Sequence, residues 1–149
     1  MKRTIAIAAA ACTLAVPAIA LGQTFQGIFN GHLESSPDSS VTLKFSGAVD
    51  PDGGTQSSVH AFVVRDFTVA CENGITATLE HAKLKGNFKI GDGKNFRARD
   101  NNGRTIYKVS GHVGANKAFG SFRLTGKIET TDGVDLACDS GPLGWVARP

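Results

Sequence analysis

Val41, Leu43 and Phe45 alternate with Thr42, Lys44 and Ser46, and the same two-residue period recurs along the chain as far as Ala147. Successive side chains of a strand point to opposite faces, so this period marks strands with one buried and one wet face. No segment carries an apolar stripe at helical spacing, and the chain therefore reads as all-β. Punctuation by turn formers agrees: Glu72-Asn73-Gly74, Gly91-Asp92-Gly93, Asp100-Asn101-Asn102-Gly103 and Thr131-Asp132-Gly133 each separate two alternating runs. Asn and Asp tolerate turn geometry, and Gly supplies positive φ at no steric cost. Longer loops are expected over 34–40 and 46–58, and a bend near Arg65-Asp66 within the apolar run from Val59 to Cys71.

About nine or ten short strands in this pattern predict a single antiparallel β-sandwich of the jelly-roll kind. A closed up-and-down β-barrel is the alternative. Both need strand pairing between distant parts of the chain, which periodicity does not specify.

One pattern is written twice. Val69-Ala70-Cys71-Glu72-Asn73-Gly74 and Leu136-Ala137-Cys138-Asp139-Ser140-Gly141 each place an aliphatic residue, Ala and Cys before an acid, a small polar residue and Gly. Each reads as a strand entering a tight hairpin turn. Fainter echoes precede them in the same order, Gly31-His32-Leu33 with Gly111-His112-Val113, then Lys44-Phe45-Ser46-Gly47 with Arg123-Leu124-Thr125-Gly126. Duplication of a half-domain gives this order, and so does ordinary strand grammar.

The N-terminus carries an address. Lys2 and Arg3 precede an apolar run from Ile5 to Leu14, and Ala18-Ile19-Ala20 is a small-x-small cleavage signal, the three parts of a secretory signal peptide. Cleavage near residues 20–22 leaves one domain over 23–149, with no transmembrane segment and an extracytoplasmic, secreted location. Of three cysteines, Cys12 leaves with the signal. Cys71 and Cys138 are then expected to form a disulfide, as cysteines of exported proteins do; two free thiols or an intermolecular pair are the alternatives. Closing a loop of 67 residues stabilises by up to ~4 kcal/mol through loss of unfolded-state entropy.

The signal peptide, Val69-Ala70-Cys71, Val109-Ser110-Gly111, the run from Lys117 to Arg123 and the ending Cys138-Asp139-Ser140-Gly141, Trp145, Ala147 together resemble a family of small exported bacterial all-β proteins of unassigned activity. The resemblance covers most of the chain from Val59 onward, and its most specific part is the Cys-x-Ser-Gly-x-x-x-Trp-x-Ala ending. It implies an exported all-β domain with one cysteine pair. No catalytic residue comes with it.

Chemistry-bearing motifs are sparse. There is no nucleophile elbow, zinc-protease motif, phosphate-binding loop or Cys-x-x-Cys. The four histidines are scattered, with His32 and His112 on outward parity. Asp50-Pro51-Asp52-Gly53 lacks the third ligand position and the distal Glu of a hand-type calcium loop. No pair of carboxylates is placed for glycoside hydrolysis. The expectation is accordingly a non-catalytic domain with no cofactor and no metal, and an unrecognised hydrolase is the remaining enzymatic alternative. Sugar-stacking rings are also scarce: the one Trp and one Tyr fall on core parity, and among nine phenylalanines only Phe119 stands out on the wet side.

Charge is distributed more informatively than its formal sum of +3. From His81 to Ile128 there are eleven basic residues against two acids, while both flanks are acidic. Lys83, Lys85, Lys89, Arg97, Arg99, Lys108, Arg123 and Lys127 all fall on polar parity. If their strands adjoin, they form one basic sheet face able to hold anionic wall polymers or glycans, with strong salt dependence. Charge neutralisation by neighbouring acidic strands is the plainer reading. The function expected is binding or interaction at or outside the cell envelope, with an anionic polymer or another envelope protein as partner. Nucleic acid fits neither the compartment nor the lack of interleaved aromatics.

Overall fold

The computed structural model describes residues 24–49 and 55–149, with side chains from 27–47 and 57–149. The expected signal peptide, Cys12 and the segment Asp50-Pro51-Asp52-Gly53 lie outside the described residues. Among the described residues nine strands follow one another, β1 Thr24–Leu33, β2 Ser36–Val49, β3 Thr55–Cys71, β4 Thr76–Ile90, β5 Asn95–Asn101, β6 Thr105–Val113, β7 Ala118–Glu129, β8 Asp135–Asp139 and β9 Leu143–Arg148. Every pairing is antiparallel.

The loop expected over 34–40 shrinks to a two-residue turn. Ser39 is buried there, its hydroxyl accepting the Leu33 N–H at 2.9 Å and donating to the Ser36 carbonyl at 2.6 Å. A buried hydroxyl thus completes the backbone bonding that allows β2 to start early. The bend at Arg65-Asp66 is present as a left-handed Asp66, φ 54, inside a continuous β3. It falls where β2 stops pairing at Arg65, so the rest of β3 is free to turn toward β8.

The sheet closes, so the architecture is the barrel and not the expected sandwich. On the edge away from β4, β3 pairs first with β2 and then, at Ala70 and Cys71, with β8. On the edge away from β6, β7 pairs with β9 over Ala118–Phe122 and with β8 over Thr125–Glu129. The ring β3, β2, β1, β9, β7, β8 returns to β3 through hydrogen-bonded neighbours. Beyond the ring, β4 extends the sheet from β3, and β6 and β5 extend it from β7. The two extensions meet at the β4–β5 turn, where Gly91 N–H donates to Asn95 O and Lys94 N–H to Gly91 O. Each ring strand has a hydrogen-bonded neighbour on both edges over at least part of its length, which limits the unpaired edge left open to other chains.

The repeated residues occupy equivalent strands. Each series falls on a three-strand meander, β1-β2-β3 in the first half and β6-β7-β8 in the second. The fourth strand breaks the equivalence: β4 folds back on β3 as a hairpin, whereas β9 leaves β8 and inserts between β1 and β7. The second cysteine turn is therefore not a hairpin turn, contrary to its sequence reading. Gly141, at φ 63, redirects the chain away from β8.

An aromatic cluster fills the interior. Phe62 of β3 meets Trp145 of β9 at 5.1 Å between ring centroids and Phe122 of β7 at 5.9 Å, and Phe67 packs edge-on against Phe122 at 5.5 Å. All four rings are buried. Gly111 makes room for Trp145, since a Cβ there would collide with the indole and with Phe96. Because Phe62 and Phe122 point at each other, the outer surfaces of β3 and β7 face away from each other. That relationship decides which cations can act together.

Candidate anion-binding surface

Strands β5, β6 and β7 present a grid of three rows to solvent, set by their register. Arg99, Lys108 and Arg123 are directly opposite one another; so are Arg97, Ser110 and Ser121; so are Asn95, His112 and Phe119. Beneath the grid the alternate residues Phe96, Ala98, Val109 and Phe122 are buried in the core, so burial of one face holds the other in place.

The first row is electrostatically unfavourable for the fold alone. Like charges directly opposite on neighbouring strands destabilise a sheet. Arg123 is neutralised at one end by Asp139, which accepts from its Nε at 3.0 Å and its Nη2 at 2.6 Å. This bidentate bond, with a second one from the Gly141 N–H, holds the Asp139 carboxyl below its ordinary value and raises the Arg123 guanidinium above its own. Arg97, Arg99 and Lys108 make no ion pair among the described residues. With Ser110, Ser121 and Pro142 these cations line a shallow depression of about 460 Å³. A second depression of about 420 Å³ continues from it past Arg97, Ser110 and Ser121 to His112 and Phe119.

Four of the eight sequence-predicted cations, Arg97, Arg99, Lys108 and Arg123, are thus brought together. The single basic face is not formed. Lys83 and Lys85 lie on the outer side of β4, at the far end of the strand order, where they gather with Lys44 of β2 and Arg65 of β3. Lys85 first, and Lys44 and Arg65 more weakly, hold the Lys83 ammonium below the ordinary lysine value. Lys89 sits apart beside Ser57, Ser58 and Asn87, and Lys127 stands opposite Ala137 of β8. Parity shows which side chains point outward, but only topology shows which strands are neighbours. What the sequence missed in turn is the alignment of His112 and Phe119 with the basic rows, which follows from the β6–β7 register.

Cys71 and Cys138 face each other across β3 and β8 and are disulfide-bonded, with Cα atoms 3.9 Å apart. The acids of both repeated turns are occupied structurally, Glu72 by the Ala137 N–H at 3.1 Å and Asp139 by Arg123 and Gly141. Ser140 closes the second turn, its hydroxyl accepting the Leu124 N–H at 2.9 Å.

Other sites carry less chemistry. His60 contacts the Ser46 hydroxyl on the outer side of β2 and β3, and no carboxylate joins that pair among the described residues. Among those residues there is also no group of three or more metal-ligating side chains. No described helix is long and apolar enough to cross a membrane. A cavity of about 660 Å³ among the described residues opens between Phe29, Phe45, Ile90 and Val113. No described residue shows what covers it. Comparison with protein-family profiles, curated proteins and solved structures finds no match for this chain.

Proposed function

We propose that this is an exported, non-catalytic binding domain of the cell envelope, stapled by one disulfide, that holds an anionic polymer on the outer face of β5–β7. One observation carries the reading: Arg99, Lys108 and Arg123 stand in a single cross-strand row that lines an open depression. Asp139 neutralises Arg123 within the fold, whereas the facing pair Arg99 and Lys108 weakens the sheet unless a ligand or a counter-ion neutralises it. Phosphate- or uronate-rich wall glycans supply that neutralisation in the compartment implied by the leader sequence. The disulfide and the resemblance of the ending Cys138–Ala147 to small exported bacterial proteins support the same compartment.

The test is retention of the oxidised protein on wall polymers and on anionic resin across a salt series. With three or four cations engaged, log affinity is expected to fall with log salt at a slope of about −2 to −3. Absence of retention at low salt would overturn the proposal.

A further inference from the structure

We infer that the β5–β7 face is built for an acidic oligosaccharide and not for a bare polyanion, with one sugar ring seated on Phe119 and the acidic groups on the Arg99–Lys108–Arg123 row. The inference rests on the anionic-polymer reading and narrows its ligand. Phe119 is 46% exposed, and it is the only aromatic residue among the large exposed apolar side chains of the described residues. Its ring is held, not loose: the His112 ring lies 5.5 Å away at a 33° tilt, and the Lys117 ammonium stands 5.3 Å above the centroid. The part of the Phe119 ring that His112 and Lys117 leave exposed offers apolar surface to the C–H side of a sugar, and the Lys117 ammonium beside it offers positive charge to a carboxylate.

The middle of the face suits hydroxyl groups. Ser110 and Ser121, directly opposite each other, form a floor with no side chain taller than serine, and the Arg97 guanidinium borders it. Both hydroxyls and the guanidinium donate hydrogen bonds that a chain of sugar hydroxyls accepts. The floor is also rigid. Gly111 and Gly120 pair directly beside the two serines, Trp145 packs under Gly111, and the backbones approach too closely for a Cβ on Gly120.

Register fixes the size of the ligand. Phe119 and Arg123 are four residues apart on β7, a span of about 13 Å at strand rise. One sugar unit does not cover that distance, so the face takes an oligosaccharide segment with its ring contact at one end and its charge contact at the other. A single-stranded nucleic acid would use successive rings along its path, and the grid holds Phe119 and His112 only at one end.

The deciding experiment compares three probes at one low salt concentration on the oxidised protein: polygalacturonate, polyphosphate and oligodeoxythymidylate. Wild-type protein is expected to bind polygalacturonate more tightly than polyphosphate, and Phe119→Ala to reduce that ratio about three- to tenfold, the scale of one aromatic contact. Phe119→Tyr, which keeps the ring, should preserve the ratio and serves as a check that loss in the alanine variant is not misfolding. An unchanged ratio in Phe119→Ala would overturn the saccharide inference while leaving the anionic-polymer reading intact. Tighter binding of oligodeoxythymidylate than of polygalacturonate would also overturn it. Failure to bind any of the three would overturn both.

Discussion

Glu72, the residue that follows Cys71, reaches across the disulfide: its carboxylate accepts the Ala137 N–H, one residue before the cysteine to which Cys71 is bonded. The acid of the first repeated turn thus bonds the backbone of the second, and bond and bridge together hold β8 against β3. Since β8 is the strand that closes the ring, the clasp is where closure is secured.

Removal of the bridge should therefore be costly. Cys71→Ser is expected to lower unfolding free energy by up to ~4 kcal/mol, with a smaller loss in Glu72→Ala. Urea titrations of both variants, with and without reductant for the wild type, give the comparison. Non-reducing peptide mapping should recover a Cys71–Cys138 crosslink, and two alkylatable thiols would contradict the assignment.

Asp139 gives the fold an acid dependence of known sign. Its carboxyl is held low in the folded state, first by the Arg123 side chain and then by the Gly141 N–H. A depressed carboxyl contributes stability above its unfolded value, near ~3.9, and the contribution is lost as pH falls through the folded value. The pair is half exposed, so the effect is modest. Thermal melts of wild type and Asp139→Asn should differ by a constant amount from pH 5 to 8 and converge in more acidic buffer. Because the same substitution releases Arg123, it should also strengthen polyanion retention.

Gly111→Ala is expected to destabilise the domain by ~1–3 kcal/mol or more, since the added methyl meets the Trp145 and Phe96 rings in a filled interior. Gly91→Ala, whose methyl would find only ordinary contact with Asn95 O, is the control and should be near neutral. Trp145 is the only tryptophan, so its fluorescence reports both unfolding and local repacking.

Much of this fold was legible because burial alternates: the turn residues at 72–74, 91–93, 100–103 and 131–133 fall where β3 meets β4, β4 meets β5, β5 meets β6 and β7 meets β8, and the expected pairing of Cys71 with Cys138 is present. Closure was not legible. It depends on β8, five residues that pair with both β3 and β7, and on β9 leaving its sequence neighbour for β1 and β7. Nothing in a period of two encodes either choice. The same gap explains the basic face, where Lys83 and Lys85 satisfy the parity rule yet sit across the core from Arg99 and Lys108. It also explains Phe119, which stood out as exposed but gained meaning only when register set it opposite His112.

The most direct test of the central claim sets two charge reversals against each other on one wall-polymer column over a salt series. Arg99→Glu with Lys108→Glu is expected to abolish retention, because it reverses the row that lines the depression. Lys83→Glu with Lys85→Glu, on the opposite side of the core and in a cluster whose members repel one another, should remain retained. Equal loss in both double variants, or retention surviving reversal of Arg99 and Lys108, would contradict the account.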